Sequence, residues 1–383
     1  MENILPDKPT APPATHYKAG IPSFLYSIMR HSANLDFLRS FAVSLVLIDH
    51  LILTLNTHVG FQSYRLYAFA EHLGKVGVLA FFVHTSLVLM YSLERMSHSL
   101  ERVSLRFYVR RFFRIYPLSI FAITLVLIIH IPDNTWGNAH TITPSVVLSN
   151  LFLVQNVFTK ISVLSPLWSL PYEVQMYLVL PALYYLALRK RGVLYLCGLL
   201  VFFCGLGFLI AEESGGHLNM AAYVPCFRSG VLCYSLRDRI RARLPAALWP
   251  PFLFLLIACY CIADTHDDPS FWMGWILCLF LGLTINAFHD STNKPLNAVA
   301  EKVALYSYGM YLIHVPVLYL VFMVIGIKNL VFGPLLFLVL TMVASFITYH
   351  FIESPFIDIG RRLSSSPVRT PAPLPAQDTQ EGS

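Results

Sequence analysis

Charge is what this chain has least of. Only 13% of its 383 residues are Asp, Glu, Lys or Arg, where a soluble globular domain carries roughly 25%. With 56% hydrophobic residues and a mean hydropathy of +0.62, a water-soluble globular protein is excluded. Other absences narrow the field. No apolar stretch suited to a cleavable leader precedes the first long hydrophobic run, so that run is expected to direct its own insertion. The seven cysteines all fall inside hydrophobic runs, at spacings that match no zinc site. They read as small apolar packing residues, and no metal is expected. No repeat period is visible. Nor do the two halves resemble each other as they do in inverted-repeat transporters, which weighs against a transporter.

What is present is a series of runs about 17–25 residues long, the length that spans a bilayer. Ten are legible: 35–55, 73–93, 115–132, 168–188, 193–211, 219–236, 247–264, 270–289, 303–326 and 330–351. The fold class is therefore all-α, a polytopic membrane bundle of about ten helices. Cytoplasmic loops hold the excess of Lys and Arg. With the N-terminus inside, 21 of the 27 basic residues fall on the cytoplasmic side, and an even number of spans places the C-terminus there as well. The net charge of +6 then reflects topology and headgroup contact with membrane lipid, so nucleic-acid binding need not be invoked. Three parts follow: a tail, 1–34, a membrane domain, 35–355, and a second tail, 356–383. Both tails are read as largely disordered because Pro, Ser, Thr and Ala dominate them. The stretch PSVVLSNLFLVQNVF, 144–158, is too short to span and fits a re-entrant or interfacial helix roofing the outer face. Oligomeric state is left open.

An ionisable residue at membrane depth costs at least a few kcal/mol, so each is a functional candidate. LDFLRSFAVSLVLIDH, 35–50, carries four: Asp36, Arg39, Asp49 and His50. Arg39 and His50 are eleven residues apart, which on a helix is three turns plus about 20°. They share one face, with about 16 Å of rise between them. FYVRRFFRIYP, 107–117, holds Arg110, Arg111 and Arg114. The last two lie on one face, a spacing suited to a phosphate, although headgroup anchoring explains an isolated basic cluster as well. In PLWSLPYEVQMYLVLP, 166–181, Glu173 counts to about 10 Å below the outer surface and His50 to about 8 Å. That matching depth suits acid–base work. GVLAFFVHTS, 77–86, and YSYGMYLIHVP, 306–316, add His84 and His314.

These stretches, with FIESP at 351–355, resemble in order the motifs of the acyltransferase 3 family of integral membrane O-acyltransferases, over roughly residues 35–355. The resemblance implies transfer of an acyl group, usually acetyl, from cytoplasmic acyl-CoA to a hydroxyl, most often of a cell-envelope carbohydrate or its lipid-linked precursor. It implies that Arg39 with His50, the pair Arg111 and Arg114, and Glu173 occupy the family's motif positions. His50 and Glu173 are then the expected catalytic groups, and Arg39, Arg111 and Arg114 the acyl-CoA-binding ones. Asp36, Asp49, Trp168, Tyr177 and His314 are expected to support them. Acyl-CoA is a co-substrate, and no bound cofactor is implied. A bacterial source would place the protein in the inner membrane. One departure stands in the second run, where relatives have Phe-Phe-x-x-Ser-Gly and this chain has Phe81-Phe82-Val83-His84-Thr85-Ser86. Lacking that glycine, the turn is not expected to allow close backbone approach.

Two other classes share some of these features. A secondary transporter also needs buried Arg, His and Glu but consumes no acyl-CoA, and a sensor or scaffold has neither activity. Paired arginines at the expected cytoplasmic rim favour the enzyme. Within that class, O-acylation of a small molecule such as a macrolide is the alternative to a glycan.

Overall fold

A computed structural model describes residues 32–60, 63–99, 102–131, 142–213, 220–240, 242–263 and 271–365. Most of both expected tails lies outside these residues. The described residues are helical, with a lone bridge between Leu244 and Phe288. In chain order the helices are α1 (Ala33–Thr54), α2 (Tyr64–Ser99), α3 (Val103–Ile129), α4 (Pro144–Leu151), α5 (Leu170–Ala187), α6 (Gly192–Glu213), α7 (Met220–Leu236), α8 (Trp249–Ala263), α9 (Phe271–Thr284), α10 (Lys294–Leu318), α11 (Phe332–Thr348) and α12 (Ser354–Ser364).

Each of the ten hydrophobic runs has a helix under it, and seven helices are long and apolar enough to cross a membrane. The helices α5, α7 and α9 fall short of that standard. α5 carries Glu173, Gln175 and four tyrosines among its 18 residues, while α7 has only 17 residues and α9 only 14.

α2 is the most widely connected helix of the bundle; α1 packs between α2 and α10, and α7 lies against α2 as well. Small residues set these approaches. A Cβ on Gly77 would come within 2.7 Å of the Ala42 carbonyl oxygen, so α1 and α2 meet backbone to backbone. A Cβ on Gly230 of α7 would overlap Ser86 Oγ and the Val83 carbonyl. Close approach at the Phe81–Ser86 turn, not expected from its sequence, is therefore achieved with the glycine on the opposite helix. Outward faces stay apolar: Val201, Phe202 and Leu209 of α6 and Leu335, Val339 and Phe346 of α11 are exposed. Only a hydrocarbon surrounding suits such faces. All seven cysteines are free thiols, and Cys226, Cys233 and Cys278 are buried in the packing.

One element differs from the expected organisation, and a second follows it. The chain continues past residue 355 as α12, which docks on α3. Ser364 accepts hydrogen bonds from Arg106 (2.8 Å) and Arg110 (2.7 Å), and Phe356 stacks on Phe113. The 144–158 stretch folds as α4, capped by the Thr143 hydroxyl, followed by a single turn at Gln155–Phe158 and a 3-10 turn at Ser165–Trp168. Its polar residues face inward. Asn150 binds the backbone at Ile161 and Val163, and Gln155 Nε2 donates to the Leu167 carbonyl, 2.9 Å away. Asn150 and Gln155 therefore act as staples that carry the chain into the bundle.

Candidate active site

Arg39 and His50 both face α10, as one stripe on α1 requires. Arg39 Nε donates to Ser307 Oγ at 2.7 Å. The His50 ring meets that of His314 edge to face, with centroids 4.8 Å apart. The stripe has two chemically distinct ends.

At the Arg39 end lies a cluster of charge. Arg39 faces Arg114, Glu173, Glu353 and Tyr177. Arg111 faces Glu173, Arg114 and Tyr177 and stacks its guanidinium over Phe107. Arg114 pairs with Glu353 at 2.8 Å and lies over the ring of Tyr308, whose hydroxyl donates to the Ile115 carbonyl. Glu173 accepts a hydrogen bond from Tyr177 and also faces Thr85. Three guanidiniums thus share two carboxylates, and Arg111 Nε is buried without a hydrogen-bond partner. An excess of fixed positive charge with an unfilled donor favours an anion.

Beside this cluster lies an open pocket of about 450 Å³, its mouth included, with Arg39, Thr85, Ser169, Glu173, Ser307 and Tyr311 among its lining residues. Tyr311 ties its walls together, donating to the Pro166 carbonyl (2.9 Å) and receiving from Ser169 Oγ (2.8 Å).

At the other end His50 Nδ1 lies 3.0 Å from the Val46 carbonyl oxygen and 3.2 Å from Asp49 Oδ2. Both neighbours accept, so in the neutral imidazole Nδ1 carries the proton and Nε2 the lone pair. That lone pair has Ser165 Oγ at 3.5 Å. Asp49 is held close by Gly74 of α2, where any Cβ would overlap its carboxylate. His314 is fully buried, its Nδ1 donating to the Met310 carbonyl, and its Nε2 has no hydrogen-bond partner.

The expected residues thus separate into two groups. Arg39, Arg111, Arg114, Glu173 and Tyr177 come together, as do Asp49, His50 and His314. Glu173 is not brought against His50: it faces Arg39, Arg111, Tyr177 and Thr85 instead. Counting depth from Pro166 put that residue at the membrane surface. In the structure Pro166 is buried beside Tyr311, and Glu173 lies two further turns in. Trp168 turns away, packing on Tyr172 and Tyr223. Asp36 occupies the first turn of α1, below both groups. Three residues escaped the sequence reading. Ser165 carried no motif signal. Glu353 stood in FIESP but was not weighed as an inward charge, and Gly74 had no visible partner before α1 and α2 were packed.

The sequence profile of an acyltransferase domain, acyltransferase 3, matches residues 32–350. A Bacillus subtilis (strain 168) protein named "Putative peptidoglycan O-acetyltransferase YrhL" is 27% identical over 381 residues, an alignment covering 87% of this chain and 56% of the relative. The chain therefore spans little more than half the length of that curated protein. No solved structure matches.

Proposed function

Since the chain belongs to the acyltransferase 3 family, we propose that it moves an acyl group, acetyl in the first instance, from cytoplasmic acyl-CoA to a hydroxyl of a cell-envelope carbohydrate or its lipid-linked precursor. In a bacterial cell it would work in the inner membrane with the Arg39 end inward. The observation that carries this reading is the stripe on α1: an arginine cluster with an unfilled donor and a cavity beside it at one end, and a histidine whose Nε2 faces Ser165 at the other.

The arginines hold the diphosphate and phosphate groups of the donor. Arg114 contributes least at first, because Glu353 already occupies part of its fork; Arg39 and Arg111 bear the larger share. About 16 Å of rise separates Arg39 from His50, a length an extended pantetheine arm can bridge. His50 Nε2 removes a hydroxyl proton as the thioester is attacked, and Asp49 stabilises the imidazolium that forms. Glu173, which accepts a hydrogen bond from Tyr177, balances the arginines and lines the cavity. The acceptor class rests on the relative named for peptidoglycan O-acetylation.

The test uses the full chain in nanodiscs with labelled acetyl-CoA and peptidoglycan fragments. Wild type should transfer label to alkali-labile esters, and His50→Ala should lower the rate about a hundredfold or more. Equal rates would remove His50 from the chemistry.

A further inference from the structure

We propose that Ser165 carries the acyl group covalently between donor and acceptor, with His50 as its base and Asp49 orienting that base. The proposal rests on the acyl-CoA reading above and adds a step to it.

Three observations converge on this serine. The first is its partner. Ser40, Ser86, Ser119, Ser229 and Ser345 each donate to a carbonyl three or four residues back in their own helix. Ser165 opens its 3-10 turn behind an extended residue, Leu164, so no such carbonyl is available to it. Its hydroxyl is turned instead to His50 Nε2, 3.5 Å away. Behind that nitrogen stand Nδ1 and Asp49 Oδ2, 3.2 Å apart. Nucleophile, base and orienting carboxylate thus run in series.

The second is rigidity. Ser165 sits on a connection, yet the carbonyls of the next two residues are held, Pro166 by Tyr311 and Leu167 by Gln155. Gln155 is buried and spends its amide on this one turn. Two buried side chains thus fix the path of the turn that carries Ser165. The third is an unfilled acceptor. His314 Nε2 holds a lone pair without a donor, on a ring in contact with His50. A hydroxyl of an incoming acceptor would satisfy it. Ser165 and His50 are themselves only partly buried.

The chemistry balances. Ser165 Oγ attacks the thioester carbonyl carbon while its proton passes to His50 Nε2. The carbon–sulfur bond breaks, and coenzyme A leaves as the thiol with that proton. The acceptor hydroxyl then attacks the Ser165 ester and gives its proton to His50 Nε2. The bond from the acyl carbon to Ser165 Oγ breaks, and the proton returns to Ser165. One thioester is consumed, one ester is formed, and both side chains are regenerated.

The experiment incubates the full chain in nanodiscs with labelled acetyl-CoA and no acceptor, followed by acid quench, digestion and mass spectrometry. In parallel, transfer to peptidoglycan fragments is measured. An acetyl ester on the peptide bearing Ser165 is expected, absent in Ser165→Ala and in His50→Ala. Ser165→Ala should also lower transfer about a hundredfold or more, with an unchanged thermal midpoint. Ser165→Cys should restore the label as a thioester, which a purely structural serine would not do. Wild type that transfers acetyl groups but never labels Ser165, or a Ser165→Ala variant that transfers at the wild-type rate, overturns the intermediate and leaves the acyl-CoA reading standing. Wild type that transfers no acetyl group from acetyl-CoA overturns both.

Discussion

At the scale of single residues the decisive contacts are those of His50 Nδ1. Because its neighbours there, the Val46 carbonyl and Asp49 Oδ2, only accept hydrogen bonds, the lone pair of the neutral ring is confined to Nε2. Asp49→Asn preserves shape but removes the charge that stabilises the imidazolium. It should lower kcat about a hundredfold or more and leave the KM for acetyl-CoA unchanged, as read from initial rates. Gly74 tests the same contact from the opposite helix. Gly74→Ala places a Cβ where the Asp49 carboxylate stands. A kcat loss comparable to that of Asp49→Asn is expected, together with a lower thermal midpoint, because the carboxylate or the α1–α2 interface must shift. Gly74→Ala with wild-type kcat would show that Asp49 can move without consequence.

At the scale of elements, the short π-helical turn Tyr349–Glu353 between α11 and α12 aims Glu353 inward at Arg114, with its side chain fully buried. Breaking a buried ion pair by removing one partner costs about 3–5 kcal/mol, whereas replacing both partners with apolar residues is often neutral. Glu353→Ala should therefore destabilise strongly, and the double variant Arg114→Met, Glu353→Leu should recover much of the thermal midpoint in detergent. A double variant as unstable as the single one would contradict this account of the pair. The register of α3 makes a second division. Arg110 points to α12 and Arg111 to the charged cluster. Arg111→Ala should raise the KM for acetyl-CoA about tenfold, while Arg110→Ala should lose about 1 kcal/mol of stability at most, with no change in KM.

For the whole molecule, the distribution of basic residues leads to the prediction that both ends face the cytoplasm. A fluorescent protein fused after Ser383 should fluoresce, and a phosphatase fused there, which needs the periplasm to mature, should stay inactive. The reverse pattern would invert the site and place the arginine cluster on the side that lacks acyl-CoA.

The sequence by itself determined the medium, the helices and one face of one helix. Hydrophobic length is a local property, and eleven residues of helix place Arg39 and His50 on one side whatever surrounds them. Membership of the acyltransferase family was legible too, because its motifs are short and keep their order along the chain. Which groups meet across helices was decided only by tertiary structure. The depth of Glu173 depended on how far the loop before it enters the bundle, and that was set by Gln155 and Tyr311 binding backbone carbonyls near Pro166. Glu353 became a partner of Arg114 only once a π-helical turn redirected it. Ser165 met His50 across 115 residues of chain, a contact no spacing rule could anticipate. Such pairings follow from packing in three dimensions, and a linear pattern constrains them only within a single helix.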